Sequence, residues 1–394
     1  MKKILIIGAG FGQLPAIHKA KELGIETICI DRNPNAIGFN HCDHKYEIDV
    51  VDFEGALAIA EKHKIDGVIT MQSDLPVPTI GYLNDKLNLK GVSQEVAKTC
   101  SNKVLTRKKL ALEKCNQPKF EIITTIQEAY NKIELIGYPC VIKAPDSSGS
   151  RGIVKVNKIE DIPFAFEEAN SYTNGKEIII EEYISGLEFG AQTFSINGKC
   201  EIVLLHNDMM SPPPFMIPIG HSLPFNKLNK TEINNAIEDI KKAVNAVGIK
   251  DGPANIDLIL DETNNKIKVI EIGARIGATC LPELVTYNIG KDWVEMTILN
   301  AIGKKIDTKI IENNPVAAII IESPKNGVFK GYINNIIDTQ NLLEVEVTAK
   351  IGDHVSKLKK GTDRIGKIVV KNTDVELAEQ LAIKLRNEII INVE

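Results

Sequence analysis

Long apolar runs, paired cysteines and excess positive charge are all missing from this 394-residue chain. Each absence removes a class of protein. No run approaches the roughly 18 apolar residues of a membrane-spanning helix. The apolar stretch after Lys2 and Lys3 ends at a glycine turn without a small-residue cleavage site, so it is not expected to be a secretory leader. None of the seven cysteines (29, 42, 100, 115, 140, 200 and 280) stands in a CxxC pair, a dispersed odd set that reads as reduced thiols in a cytoplasm. A formal net charge of −5 argues against a nucleic-acid partner, although a local basic pocket stays open. Internal repeats and low-complexity segments are absent, and so is a GxxxxGK[ST] phosphate loop. What is there is ordinary globular composition, 43% hydrophobic and 25% charged, in a chain long enough for two or three domains.

The first hundred residues alternate strand and helix. Residues 4–7, 27–30 and 68–70 read as strands, and 14–23 and 53–63 as helices, a βαβ pattern with a parallel sheet. The first turn places Gly8, Gly10 and Gly12 before a helix. A dinucleotide fingerprint needs its third glycine at the sixth position, which is Gln13, so the NAD signal is partial even with Asp31 ending the second strand. Beyond residue 101 the pattern becomes α+β. A helix is expected over 103–114, strands over 139–144, 153–156 and 177–180, and a hairpin around Asn197-Gly198. The proline-rich stretch 211–224 cannot be helix and reads as an ordered loop or edge segment. A helix at 232–247, strands at 255–260 and 266–273, and a closing helix at 375–386 follow.

Four constellations carry possible chemistry. Lys143 ends a strand just before the loop DSSGSRG at 146–152, where small residues can bring backbone N–H groups against phosphate and the lysine adds a point charge. A mobile hairpin is the alternative. The run Glu181-Glu-Tyr-Ile ends a second strand, with Glu188 seven residues on; it suits adenine and ribose, or is a solvated acidic loop. Asp257 and Glu271 lie in apolar strands, where lone charges are costly. A register pairing 260 with 268 sets them opposite each other, fit for Mg²⁺ or for salt bridges, with Arg275 close behind. His221 and Ser222 in the proline-rich stretch are candidates for the wall of an acceptor site or parts of a rigid loop. The run 41–44, HCDH, reads as a polar loop, and Arg107, Lys108 and Lys109 as a solvated helix face.

Taken in order, the Ser101-Asn-Lys103 helix start, the Val141-Ile-Lys143 strand, the Ser/Gly loop, the Glu181 hinge and the Asp257…Glu271…Arg275 hairpin resemble the ATP-grasp superfamily. Within it the chain resembles the branch of biotin carboxylase, carbamoyl-phosphate synthase and the bacterial L-amino acid ligases. The resemblance implies an α/β and α+β multidomain fold. It consists of a Rossmann-like domain at 1–100, an ATP-grasp domain at 101–310 with a mobile lid at about 140–205, and a small C-terminal α+β domain at 311–394. It also implies site roles. Lys103 and Lys143 hold ATP phosphates, and Ser147, Ser148, Gly149, Ser150 and Gly152 close over them. Glu181, Glu182 and Ile184 meet adenine, and Glu188 takes ribose. Asp257 and Glu271 carry Mg²⁺, or Mn²⁺ in its place, and Arg275 steadies the transferred phosphate. The family's Asn two residues after the second metal carboxylate is Gly273 here.

The expected activity is ATP-dependent ligation of a small carboxylate to an amine through an acyl phosphate, in a cytoplasmic enzyme that is possible as a homodimer, with no nucleic-acid or membrane partner. An enzyme activating bicarbonate and a non-catalytic ATP-binding protein are the rival readings.

Overall fold

The computed structural model describes residues 1–147, 151–173, 175, 177–212, 217–337 and 339–394. The N-terminal strands Lys3–Ile7, Glu26–Asp31, His44–Glu47 and Gly67–Ile69 form a parallel sheet, with the first strand between the second and fourth. Its buried Ile and Leu side chains on both faces are what a parallel sheet covered on both sides demands. The helix Phe53–His63 forms where helical spacing places it, capped by Asp52.

A small antiparallel sheet follows, in the order Phe120–Ile123, Ile178–Glu182, Cys140–Lys143, Ile153–Val156. It packs its apolar face on the helices Ile126–Ile136 and Ile162–Ser171. This unit runs from 120 to 182. It therefore begins and ends earlier than the subdomain expected at about 140–205, because the long strands Gly186–Ile196 and Lys199–Met210 belong to a different sheet.

That sheet has eight strands, all antiparallel to their neighbours. Their order is Lys266–Gly273, Gly252–Asp261, Gly186–Ile196, Lys199–Met210, Pro218–Leu223, Val316–Ile321, Gly366–Lys371, Leu342–Val347. One face meets the helix Lys230–Val247, capped by Asn229, and further along the closing helix Val375–Asn387. The other face meets the helices Leu281–Ile289 and Trp293–Ala301. Pro218–Leu223 is thus an interior strand, not the loop or edge expected. Among the described residues, Pro218 starts the strand and Pro224 follows its end, and a register shift at Met209/Met210 accommodates Pro218.

Candidate active site

Lys143 ends its strand inside a buried charge cluster. Its Nζ donates to Glu181 Oε2 at 2.7 Å, and Glu181 is almost wholly buried. The second partner of Glu181 is Arg107. Its Nε donates to Oε1 at 2.6 Å, and its remaining nitrogens reach the carbonyls of Val269 and Ile270 at 3.0 and 2.8 Å. Arg107 is 1% exposed, so the helix face expected to be solvated is so only at Lys108 and Lys109. Burial alone would raise the Glu181 pKa, but the charges of Arg107 and Lys143 hold it at about 2. The Glu181 side chain is therefore committed to aligning Lys143, leaving only its backbone for a nucleotide. Three residues on, Ile184 lies between the two sheets, and its N–H has no hydrogen-bond partner among the described residues. Glu182 accepts from Lys119 N at 2.9 Å and Lys268 Nζ at 3.3 Å.

The large sheet places the metal candidates. Asp257 pairs with Glu271, but not by the register expected. Leu260 pairs with Ile267 and Leu258 with Val269; a bulge between Asp257 and Leu258 absorbs Ile270 and returns the two carboxylates to the same face. Without that bulge Asp257 would lie opposite Ile270. Asp257 keeps an exposed edge, yet the surrounding protein desolvates its carboxyl. That crowding, with repulsion from Glu271 and Asp208, pushes its carboxyl up to about 7. Lys103 enters from the start of its helix, capped by Asn102, and its Nζ donates to the Ser147 carbonyl at 2.7 Å and lies 3.6 Å from Glu271 Oε1. Arg275 pairs through one terminal nitrogen with Asp74 Oδ2 at 2.8 Å, while its buried Nε has no partner among the described residues. Gly273 stands opposite Asn255, and a Cβ there would come within 2.9 Å of Asp74 Oδ1, so the Asp74–Arg275 pair fills the space an Asn side chain would need. Asn255 instead donates to Asp257 Oδ1 at 2.9 Å and accepts from Gln192 at 2.6 Å.

The same face continues across the next strands. Asp257 pairs with Gly190, and Gly190 with His206. Asp208, two residues on, pairs with His221. Both imidazoles approach one oxygen: His206 Nδ1 lies 2.8 Å and His221 Nδ1 2.7 Å from Asp208 Oδ1. Burial would raise Asp208, but the two histidines hold it far below the usual carboxylate range. Glu188 lies on this face too, raised by burial and by Asp208. Ser222 does not join them. Strand alternation turns it to the opposite face, where its hydroxyl donates to Glu379 at 2.5 Å and accepts from Asn207. Gly152 is placed beside the strand end, accepting from Ala144 N at 2.8 Å, while Ser148, Gly149 and Ser150 lie outside the described residues.

The opening glycine turn is plugged by its own chain. Gln13 Oε1 accepts from Gly10 N at 3.0 Å, its amide reaches the Met71 carbonyl, and Asp31 Oδ2 accepts from Ala9 N at 2.8 Å. The turn and the Asp31 carboxylate are thus both engaged by the chain itself. The turn borders a cleft of about 1210 Å³ that also touches Arg364, Glu283 and Lys367. A second cavity of about 440 Å³ lies under Lys103 and Glu271, walled by Asp74, Phe53, Leu75 and Ser147. His41 and His44 diverge, one to His18 and the other to Glu26.

Sequence reasoning missed Asp74, Asp208, His206 and Arg107. Asp74 has its partner 201 positions away, whereas His206 and Asp208 stand two apart in one strand, where alternation sets them on one face. Arg107 carried one available signal: its helix neighbours Val104 and Leu110 are apolar at helical spacing, so it shares their buried side.

Comparison with known proteins gives two family matches: an ATP-grasp domain over residues 136–283 and L-amino acid ligase C-terminal domain 2 over 321–394. The chain is 27% identical over 325 residues to the carbamoyl phosphate synthase large chain of Thermoanaerobacter pseudethanolicus, using 78% of this chain but only 29% of that relative's length. It is 24% identical to a formate-dependent phosphoribosylglycinamide formyltransferase of Saccharolobus solfataricus, across 99% of this chain and 97% of the relative. A solved phosphoribosylglycinamide synthetase from Anaerococcus prevotii superposes with a TM-score of 0.85 at 29% identity, covering 100% of each chain.

Proposed function

We propose that this chain, which carries an ATP-grasp domain joined to an L-amino acid ligase-type C-terminal domain, is an ATP-dependent carboxylate–amine ligase. It converts a carboxylate to an acyl phosphate and passes the acyl group to an amine, releasing ADP and phosphate. The substrates are amino acids or similar small metabolites. The observation that carries this reading is a chain of contacts: Lys103 reaches Glu271, Glu271 faces Asp257, and Arg275 is held by Asp74, which lines the same cavity as Lys103 and Glu271, while a buried anion holds Lys143 at the end of the neighbouring sheet.

Each residue has a chemical reason for its role. Lys103 and Lys143 are point charges for phosphate oxygens. Ile184 offers adenine an unused N–H, and Glu188 offers ribose a carboxylate. The crowded pair Asp257 and Glu271 fits a divalent cation, because a positive charge relieves the repulsion that raises Asp257. Mg²⁺ held there supplies charge neutralisation for the phosphoryl group. Asp74 fixes one terminal nitrogen of Arg275, and the planar guanidinium suits a carboxylate or phosphate. The larger cleft mixes Lys19, Arg364 and Lys367 with Glu283, Asp292 and Glu344, which suits the opposite charges of an amino acid.

The test is a phosphate-release screen with ATP and Mg²⁺ against panels of amino acids, other amines, sugar acids and bicarbonate. Release that requires both a carboxylate and an amine supports the reading. Release with bicarbonate alone overturns it in favour of a carboxylase-like enzyme, and tight ATP binding with no turnover overturns it in favour of a non-catalytic binder.

A further inference from the structure

Asp208 is an unusual carboxylate in that one of its oxygens serves two buried imidazoles. His206 and His221 are 2% and 4% exposed, and their rings meet edge to face with centroids 5.0 Å apart. Because each Nδ1 lies within 2.8 Å of Asp208 Oδ1, each neutral imidazole carries its proton on Nδ1. The lone pair is then on Nε2. His206 Nε2 is sealed against the backbone of Gly190, without a partner among the described residues. His221 Nε2 has no partner among the described residues either, yet is not among the sealed atoms. The pair therefore has one exit for a proton acceptor, and that exit is on His221.

We propose that His221 is the base that takes a proton from the incoming amine, with Asp208 and His206 as positioning residues; this rests on the ligase reading above. The amine arrives mostly as ammonium and cannot attack. His221 Nε2 accepts one ammonium proton. The freed nitrogen lone pair forms the C–N bond at the acyl carbon, and the C–O bond to phosphate breaks with its electron pair leaving on phosphate. The second N–H proton departs with phosphate as the amide forms. Asp208 fixes the ring and stabilises the imidazolium, as a buried acid does for a catalytic histidine.

Charges around His221 support this. On its face of the sheet stand Glu188, Asp257 and Glu271, two, three and four strands away. The strand on the other side puts Ala318 opposite it. The helix Leu281–Ile289 brings Glu283, which is held by Lys367 at 2.5 Å, and Glu379 of the closing helix lies on the opposite face. Burial lowers His221 more than Asp208 and Asp257 raise it, which leaves it neutral and able to accept.

The test compares two nucleophiles with the carboxylate found in the screen: its amine partner, and hydroxylamine, which is unprotonated at neutral pH and needs no base. His221→Asn keeps a donor for Asp208 but loses the base. The expected result is a fall of about 100-fold or more in amine-dependent turnover, with hydroxamate formation largely kept and the amine defect shrinking as pH rises. His206→Asn gives a smaller loss with a shifted acid limb. Equal losses with both nucleophiles, or an unchanged amine rate, overturn the proposal while leaving the ligase reading standing. A parent protein that couples no carboxylate to any amine overturns both.

Discussion

Glu181→Gln removes the one anion from a buried triad and leaves Arg107 and Lys143 facing each other across a neutral amide. The cost follows from the carboxyl's displacement, from an ordinary 4.5 to about 2. At 1.36 kcal/mol per pH unit this is roughly 3 kcal/mol of stability at neutral pH. The direct expectation for breaking a buried ion pair, about 3–5 kcal/mol, agrees. Because the folded pKa is depressed, the contribution is fully present above 4.5 and is lost as pH falls towards about 2. Thermal melts should show the variant about 6–12 °C below the parent at pH 7, at about 2–4 °C per kcal/mol. The gap should close progressively as the pH of both samples falls below 4.5, in step with protonation of the parent's Glu181. A variant melting within about 2 °C of the parent at pH 7, or a gap independent of pH, would refute the account of Glu181 as the electrostatic keystone.

Three further outcomes are expected. Lys143→Ala should abolish ATP-dependent phosphate release but cost far less stability than Glu181→Gln, since Glu181 keeps Arg107; persistent turnover in the release assay would remove Lys143 from the site. Asp257→Asn should raise the melting temperature of the metal-free protein at pH 8. Its raised carboxyl is destabilising once ionised, so the gain should shrink as pH falls through about 7 towards 3.8, and an equal gain at every pH would count against the crowding. Gly190→Ala should destabilise by about 1–3 kcal/mol in urea melts, because the new methyl overpacks the site. Its carbon would sit 2.4 Å from His206 Cε1, and unchanged stability would mean that the imidazole is not held there.

The sequence was most legible where chemistry and periodicity coincide. Asp257 and Glu271 stood out because charges in apolar strands demand a partner, and they do face each other. The route to that pairing was hidden, since a bulge at Ile270 is a backbone choice that no letter announces. The closing helix and the helix after Asn229 form where helical spacing places them. The strand Pro218–Leu223 was misread because local proline content argued for a loop, whereas pairing with a neighbour on each side decided its place. His221 and Ser222 looked equivalent as adjacent polar residues, and strand alternation then separated them by the full thickness of the sheet. Asp208 was missed because only half of its setting is local: His206 stands two residues before it on one strand face, and His221 is added by pairing with the next strand.

The eight-stranded sheet has a consequence for modularity. The two family matches end and begin at residues 283 and 321, as if the chain were two exchangeable modules. Yet Pro218–Leu223 and Val316–Ile321 are hydrogen-bonded neighbours, so the seam between the modules is a continuous ladder through the middle of the sheet. A cut or graft near residue 310 would bare the backbone of the strand that carries His221. A transplanted C-terminal domain must therefore match that strand's register, and a chimera that fails to do so would lose its acceptor side before its nucleotide side.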